Sequence, residues 1–327
     1  MLIVNEQQII NTYLMKDAIQ DVTEVLKGKE AKKIASPHRT VIEFPPYEAS
    51  ALYMPSADLV GEVAAVKVVT IFPHNPANGK ATTQGVILLS DASNGEHLAM
   101  LNASYLTRLR TGALSGIATN YLAKKDAKVL AVIGTGAMAF EQVLGVLAVR
   151  PIERILLVNR NLEKAKAFGE KLKAFGVQTA YELIEDVAAA VRQADIINCA
   201  TRANEPVFDG DDLKADAHVN GVGSYLPHMH EVDLTTITRA AKIVVDDLAG
   251  VKEEAGELID AEERGKWSFE QVYGEIGQLV VGAIKGRENK EEITFFKSVG
   301  AAYFDLAVAK GVYAKAKEQQ IGTEIDV

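Results

Sequence analysis

Cysteine is nearly absent from this chain. Cys199 is the only one, so no intramolecular disulfide can form, and no Cys/His cluster has the spacing of zinc ligands. The six histidines offer no metal spacing either, since His228 and His230 stand two apart in a loop-like stretch. No metal is expected. Positive charge is in deficit: 35 Lys and Arg against 44 Asp and Glu give a formal net charge of −9. Affinity for a phosphate backbone comes from clustered Lys and Arg, so nucleic acid is not an expected partner. No apolar run approaches the ~18 residues that cross a bilayer. Residues 1–10 carry Asn5, Glu6, Gln7 and Gln8 where a signal peptide would have a basic segment and an apolar core. No membrane partner is therefore expected, and a cytoplasmic location follows by elimination. A G-x-S-x-G elbow and a Walker motif are also missing.

What remains is ordinary globular material, 48% hydrophobic and 24% charged, which argues against disorder. At roughly 100–200 residues per domain, 327 residues suggest two domains. Met15–Leu26 has apolar residues at helical spacing, and Gly28 reads as its stop. Between Thr40 and Asp91 the texture is β-branched and turn-bounded, with strands at Val63–Ile71 and Gly85–Leu89 and a loop at Pro73–Gly79. Leu101–Ala123 reads as a helix. From Val129 apolar runs alternate with helical stretches, with strands at Val129–Ile133, Ile155–Val158, Ile196–Ala200, His218–Val222 and Ile243–Val245. Helices are expected at Glu163–Phe175 and Ala188–Gln193 and, at the end, over Ser298–Lys317. This alternation predicts an α/β fold with a doubly wound parallel sheet.

Gly134-Thr135-Gly136-Ala137-Met138-Ala139 fits G-x-G-x-x-A, placed after an apolar strand and before a helix. Gly134 permits the tight turn, Gly136 lets the backbone approach a pyrophosphate, and Ala139 keeps the helix close to the sheet. The helix N-terminus then offers N–H groups and the positive dipole end to phosphates. At the tip of the next strand, where an NAD site usually carries a carboxylate, stand Asn159 and Arg160. Arg160 reads either as a partner for a 2′-phosphate, which favours NADPH, or as a solvated surface arginine.

Lys67 lies inside the apolar strand Val63–Ile71. Facing inward it loses solvation and its pKa falls; facing outward it is a plain surface lysine, and alternation alone does not choose. Arg39 and Arg110, converging, would clamp a carboxylate; each alone reads as surface charge. Thr201 and the loop Gly221–Pro227 follow strands at their C-terminal ends, the edge where open α/β sheets bind ligands.

In this order the pieces resemble the ornithine cyclodeaminase/mu-crystallin family over nearly the whole chain. They are the Lys67 strand, Gly79-Lys-Ala-Thr82-Thr-Gln-Gly85 through Asp91, Arg110-Thr111, the glycine turn, Gly223-Ser-Tyr-Leu-Pro227 with Glu231 and Asp233, and Lys297-Ser298-Val-Gly300 with Asp305. The resemblance implies a homodimer. It implies that residues 1–118 and 301–327 form an α+β substrate-binding and dimerisation domain around an inserted Rossmann domain at 119–300. It implies that Arg39, Lys67 and Arg110 contact a substrate carboxylate with Thr82 nearby, Lys67 being the catalytic group. It places the cofactor against Thr111, Gly134, Thr135, Gly136, Ala137, Met138, Asn159, Arg160, Thr201, Val222, Ser224, Ser298 and Gly300.

The family includes ornithine cyclodeaminases, alanine dehydrogenases and reductases of cyclic ketimines. Its cyclodeaminases carry an Asp two residues before the proline corresponding to Pro227, thought to act on the substrate amine and the attacking water. Tyr225 stands there instead, and a base is useful in an amine oxidation and cyclisation. The expectation is therefore an oxidoreductase that reduces a cyclic α-imino acid. Its substrate is Δ1-pyrroline-2-carboxylate or Δ1-piperideine-2-carboxylate, its product L-proline or L-pipecolate, with NADPH preferred over NADH. The alternatives are ornithine cyclodeamination, alanine dehydrogenation and a non-enzymatic, NADPH-binding, crystallin-like protein.

Overall fold

The computed structural model describes residues 1–326. The chain opens with strand β1 (Leu2–Val4) and helices α1 (Glu6–Thr12) and α2 (Met15–Glu30). Strands β2 (Ile34–Ala35), β3 (Thr40–Phe44), β4 (Ala49–Asp58), β5 (Val63–Ile71), β6 (Thr83–Asp91) and β7 (His97–Asn102) follow, then α3 (Ala103–Leu122). Next come β8 (Val129–Ile133), α4 (Ala137–Leu147), β9 (Arg154–Val158), α5 (Leu162–Ala174), β10 (Ala180–Ile184), α6 (Val187–Gln193) and β11 (Ile196–Cys199). They are followed by β12 (His218–Gly221), α7 (Leu234–Arg239), β13 (Lys242–Val245), α8 (Leu248–Glu254) and α9 (Gly256–Glu263). After β14 (Gly274–Glu275), α10 (Ile276–Val280) and β15 (Thr294–Lys297), the chain ends with α11 (Ala302–Glu318) and β16 (Thr323–Glu324).

Two compact units result: Met1–Arg110 with the chain from Ala301 onward, and Thr111–Gly300. The boundary falls inside α3, eight residues before the one expected at 118/119, because one helix begins in the first unit and is completed in the second. The first unit holds an eight-stranded sheet in the order β16-β1-β7-β6-β5-β4-β2, with β3 also on β4. Its β4–β5–β6–β7 meander is antiparallel, and β1 joins β7 in parallel. Helix α11 packs across β4, β5 and β6. The pairing register puts Met54, Lys67, Ile87 and Leu101 on one face and Tyr53, Val68 and Val86 on the other.

The second unit holds a sheet in the order β10-β9-β8-β11-β12-β15-β13-β14, parallel throughout. Strands β11, β12, β13 and β15 are buried at every residue, as strands covered on both faces must be. The order reverses between β8 and β11, which opens a crevice beyond their C-terminal ends.

Two expectations need correction. Gly28 does not stop α2, which runs on to Glu30 and turns at Lys32 with φ 56°. A Cβ at Gly28 would sit 3.3 Å from Ile34, so the missing side chain makes room for β2. The last helix begins at Ala302 and not Ser298, because Ser298, Val299 and Gly300 are bound to Asp246 and Gly300 turns with φ 86°. Among the described residues no helix is long and apolar enough to cross a membrane.

Candidate active site

The first unit buries a cluster of charge. Lys67 faces inward from the middle of β5 and is 3% exposed. Its Nζ donates to Asp305 Oδ2 at 2.6 Å, while Arg110 Nε donates to Asp305 Oδ1 at 3.4 Å. Asp305 projects from the first turn of α11. The alternation that left Lys67 undecided is thus settled by α11, which covers that face and supplies the carboxylate. Burial pulls the Lys67 pKa down to about 8; Asp305 opposes this, and the charges of Arg110 and Arg39 add to the fall. Arg39 is half-buried and close enough for its charge to act on Lys67. Thr82 is half-buried just before β6, its carbonyl accepting from Phe72 N–H at 2.8 Å.

Two buried cations, Lys67 and Arg110, share one carboxylate, which leaves a formal surplus of positive charge where water is scarce. Such a surplus is costly unless an anion joins it. Such a cluster can take up a small anion such as a carboxylate, and Leu52, Met54 and Val69 give the same sheet face an apolar neighbourhood.

The second unit carries the glycine turn. Gly134 takes φ +87°, and a Cβ there would meet Thr201 Cγ2 at 2.6 Å, so glycine is required twice over. Gly136 is the N-cap of α4, with no side-chain cap, and open space lies where its Cβ would be. The first N–H groups of α4, including those of Ala137 and Met138, are therefore available to a phosphate. Ala139 is fully buried, which lets the helix lie close to the sheet. Thr135 Oγ1 accepts from Asn159 Nδ2 at 2.7 Å, tying the turn to the end of β9. Arg160 beside it is exposed. The residues present fit a dinucleotide.

The remaining expected cofactor residues line the same C-terminal edge. Thr201 follows β11; Val222 and Ser224 follow β12; Ser298 and Gly300 follow β15. Ser224 is fully buried, its hydroxyl donating to Glu257 at 2.9 Å and accepting from Lys297 at 2.5 Å. The Ser298 hydroxyl donates to Asp246 at 2.7 Å. At both positions the side chain is engaged inside the fold, and at Ser224 the backbone N–H and carbonyl are engaged as well. Thr111 is buried at the start of the second unit. Among the described residues no His/Cys/Asp/Glu group could hold a metal ion.

Sequence reasoning assigned no role to Asp305, Glu231, Glu257 or Asp246. For Asp305 a signal existed: it is the one acidic residue in Ala301–Lys317, a stretch of mostly apolar residues. Glu231 stood in the motif with Gly223 and Ser224, two of its partners; for Glu257 and Asp246 no signal existed, because their side-chain partners lie more than 30 residues away.

A sequence model of the ornithine cyclodeaminase/mu-crystallin family matches residues 1–320. The chain belongs to that family. A family member from Bacillus cereus named Delta(1)-pyrroline-2-carboxylate reductase is 41% identical over 326 residues, covering 100% of both chains. Among solved structures of the family, Thermococcus litoralis Delta(1)-pyrroline-2-carboxylate reductase, in complex with NADH and L-proline, superposes with a TM-score of 0.95. It is 37% identical and covers 99% of this chain and 100% of its own. An archaeal alanine dehydrogenase dimer with bound NAD superposes at 0.92, with 31% identity, 99% of this chain and 98% of its own.

The charge cluster makes a direct prediction. Asp305→Asn leaves Lys67 and Arg110 buried without their carboxylate, and stability should fall by about 3–5 kcal/mol. Urea unfolding of the two proteins measures this; a loss under about 1 kcal/mol removes Asp305 from its assigned place.

Proposed function

We propose that this chain reduces a cyclic α-imino acid, Δ1-pyrroline-2-carboxylate or its six-membered homologue, to L-proline or L-pipecolate with a nicotinamide dinucleotide. The observation that carries the proposal is the buried positive surplus of Lys67 and Arg110 over the one carboxylate of Asp305, with Arg39 near enough to act on Lys67. The relatives named for this reaction, one of them with NADH and L-proline bound, support it.

Arg39 and Arg110 hold the carboxylate, and this fixes the imine carbon and nitrogen, which is catalysis by positioning. When bound, the reduced nicotinamide supplies the hydride that the imine carbon takes up. The ring nitrogen gains a proton in the same conversion. Lys67, with a pKa of about 8, is poised to deliver it, and Asp305 keeps its ammonium oriented. The glycine turn and the N-terminus of α4 hold the pyrophosphate.

Cyclodeamination is disfavoured by Tyr225, half-buried and packed against the core where the family's cyclodeaminases carry an Asp. NADPH is favoured over NADH because Asn159 and exposed Arg160 leave the end of β9 without a carboxylate. The homodimer is supported by the sheet face that α11 does not cover. There Ile42, Tyr53 and Val86 are 46%, 38% and 41% exposed, beside half-buried Val66, Val68 and Leu88. A contiguous apolar face of this kind on a soluble chain marks an interaction site.

NADPH oxidation monitored with Δ1-pyrroline-2-carboxylate should be rapid, and ornithine with NAD should give no reduction. The turnover number should fall as pH rises through about 8, since the ammonium form of Lys67 is the proton donor, and Lys67→Met should cost about 10²-fold or more. Ornithine turnover, or full activity in Lys67→Met, overturns the assignment. Arg160→Ala should raise KM for NADPH about tenfold and leave that for NADH unchanged, in line with the loss of a charge-assisted phosphate contact; equal effects on both mean that Arg160 does not read the 2′-phosphate. Val86→Arg should convert a dimer to a monomer in sedimentation velocity, and an unchanged sedimentation coefficient removes this face from the interface.

A further inference from the structure

Glu231 is completely buried, in the loop between β12 and α7. Its two oxygens accept four hydrogen bonds. Oε1 takes the Thr201 N–H at 2.5 Å and the Thr201 hydroxyl at 2.8 Å; Oε2 takes the N–H of Gly223 at 2.6 Å and of Ser224 at 3.1 Å. Thr201 follows β11 and Gly223–Ser224 follow β12, so one carboxylate cross-links the loops leaving two adjacent parallel strands. The approach is tight. A Cβ on Gly223 would lie 2.2 Å from Thr201 O and 2.3 Å from Thr201 N, and Thr201 in turn closes on Gly134 after β8.

The clamp extends outward to β15. Lys297, the last residue of that strand and fully buried, donates to the Ser224 carbonyl at 2.6 Å and to Glu257 at 2.9 Å. A run of contacts therefore passes along the C-terminal ends of β8, β11, β12 and β15, neighbours in the sheet. Glu231 is its only member that binds two loops at once with both oxygens. Ion pairing does not explain so exact a fit of donors to acceptors, because three of the four donors are backbone N–H groups. What the carboxylate fixes is loop separation.

We propose that Glu231 is a positioning residue for the cofactor, holding the loops after β11 and β12 at the spacing at which they receive the dinucleotide. The proposal rests on the reading that the dinucleotide lies along this edge. It is independent of which imino acid is reduced.

The test compares wild type with Glu231→Gln, whose amide nitrogen would face N–H groups it cannot accept. Two readouts need no turnover: the Kd for NADPH and NADH from nicotinamide fluorescence, and the rate at which Cys199 reacts with a thiol reagent. Cys199 ends β11, is fully buried, and lies near Glu231, Glu257 and Lys297, so loosened loops expose it. We expect the dinucleotide Kd to rise at least tenfold, Cys199 to react at least tenfold faster, and KM for the imino acid to change less than twofold. Gly223→Ala leaves Glu231 in place but drives a Cβ to within 2.6 Å of its Oε1 and still closer to Thr201, so it forces the same loops apart and should reproduce the pattern. Glu231→Asp, with its shorter reach, should fall between. Kd and thiol reactivity within twofold of wild type in Glu231→Gln overturn the proposal, as does an equal rise in the KM values of cofactor and imino acid. If Glu231→Gln does not fold, Gly223→Ala and Glu231→Asp decide by the same criteria. Absence of imino-acid turnover with the Kd and thiol shifts intact would sink the proposed reaction and leave this assignment standing.

Discussion

Asp305 sits between Lys67 and Arg110, and the function read from the first unit depends on that one carboxylate. It is enough to make two buried cations tolerable and too little to neutralise both. Desolvated charge must be paired, so the cluster has a standing demand for one more anion. In the proposed reaction a substrate carboxylate meets that demand, and binding it brings the neighbouring imine under control. Burial, with the nearby arginine charges adding to it, lowers the Lys67 pKa to about 8, which keeps a lysine protonated near neutrality yet willing to give the proton up.

The second unit buries charge of the opposite sign and resolves it differently. Glu257 pairs with the ammonium of Lys297, while the carboxylate of Glu231 is taken up by the Thr201 hydroxyl and backbone N–H groups at the ends of parallel strands. These N–H groups exist because parallel strands end together on one edge and their loops leave with unpaired donors. An anion from within the chain fills some of them. The N–H groups at the start of α4, beside Gly136, have no side-chain cap and are left for the phosphates of a ligand. In the first unit, by contrast, the last partner of the cations is left for the substrate.

Much of the fold was legible. The parallel strands are continuous apolar runs because both faces are covered, and that pattern survives in any reading of the sequence. The short strands were not legible: Ala180–Ile184 lies on a sheet edge with mixed exposure, and Thr294–Lys297 is short and flanked by polar residues. Gly28 misled because a glycine that makes room for a neighbour looks the same in sequence as one that ends a helix.

By itself the sequence determined the glycine turn, the strand–helix alternation and the family, since each of these rests on local spacing or on the order of motifs. It also supplied Lys67, Arg39 and Arg110 as candidates, but it left the orientation of Lys67 open. Only the tertiary structure decided that Lys67 is buried, that Arg110 shares its carboxylate, and that this carboxylate is Asp305, from a helix 238 residues further along the chain. The reason is physical: spacing along the chain sets which way a side chain can point, whereas the free energy of a charge is set by what surrounds it, and those surroundings come from distant segments.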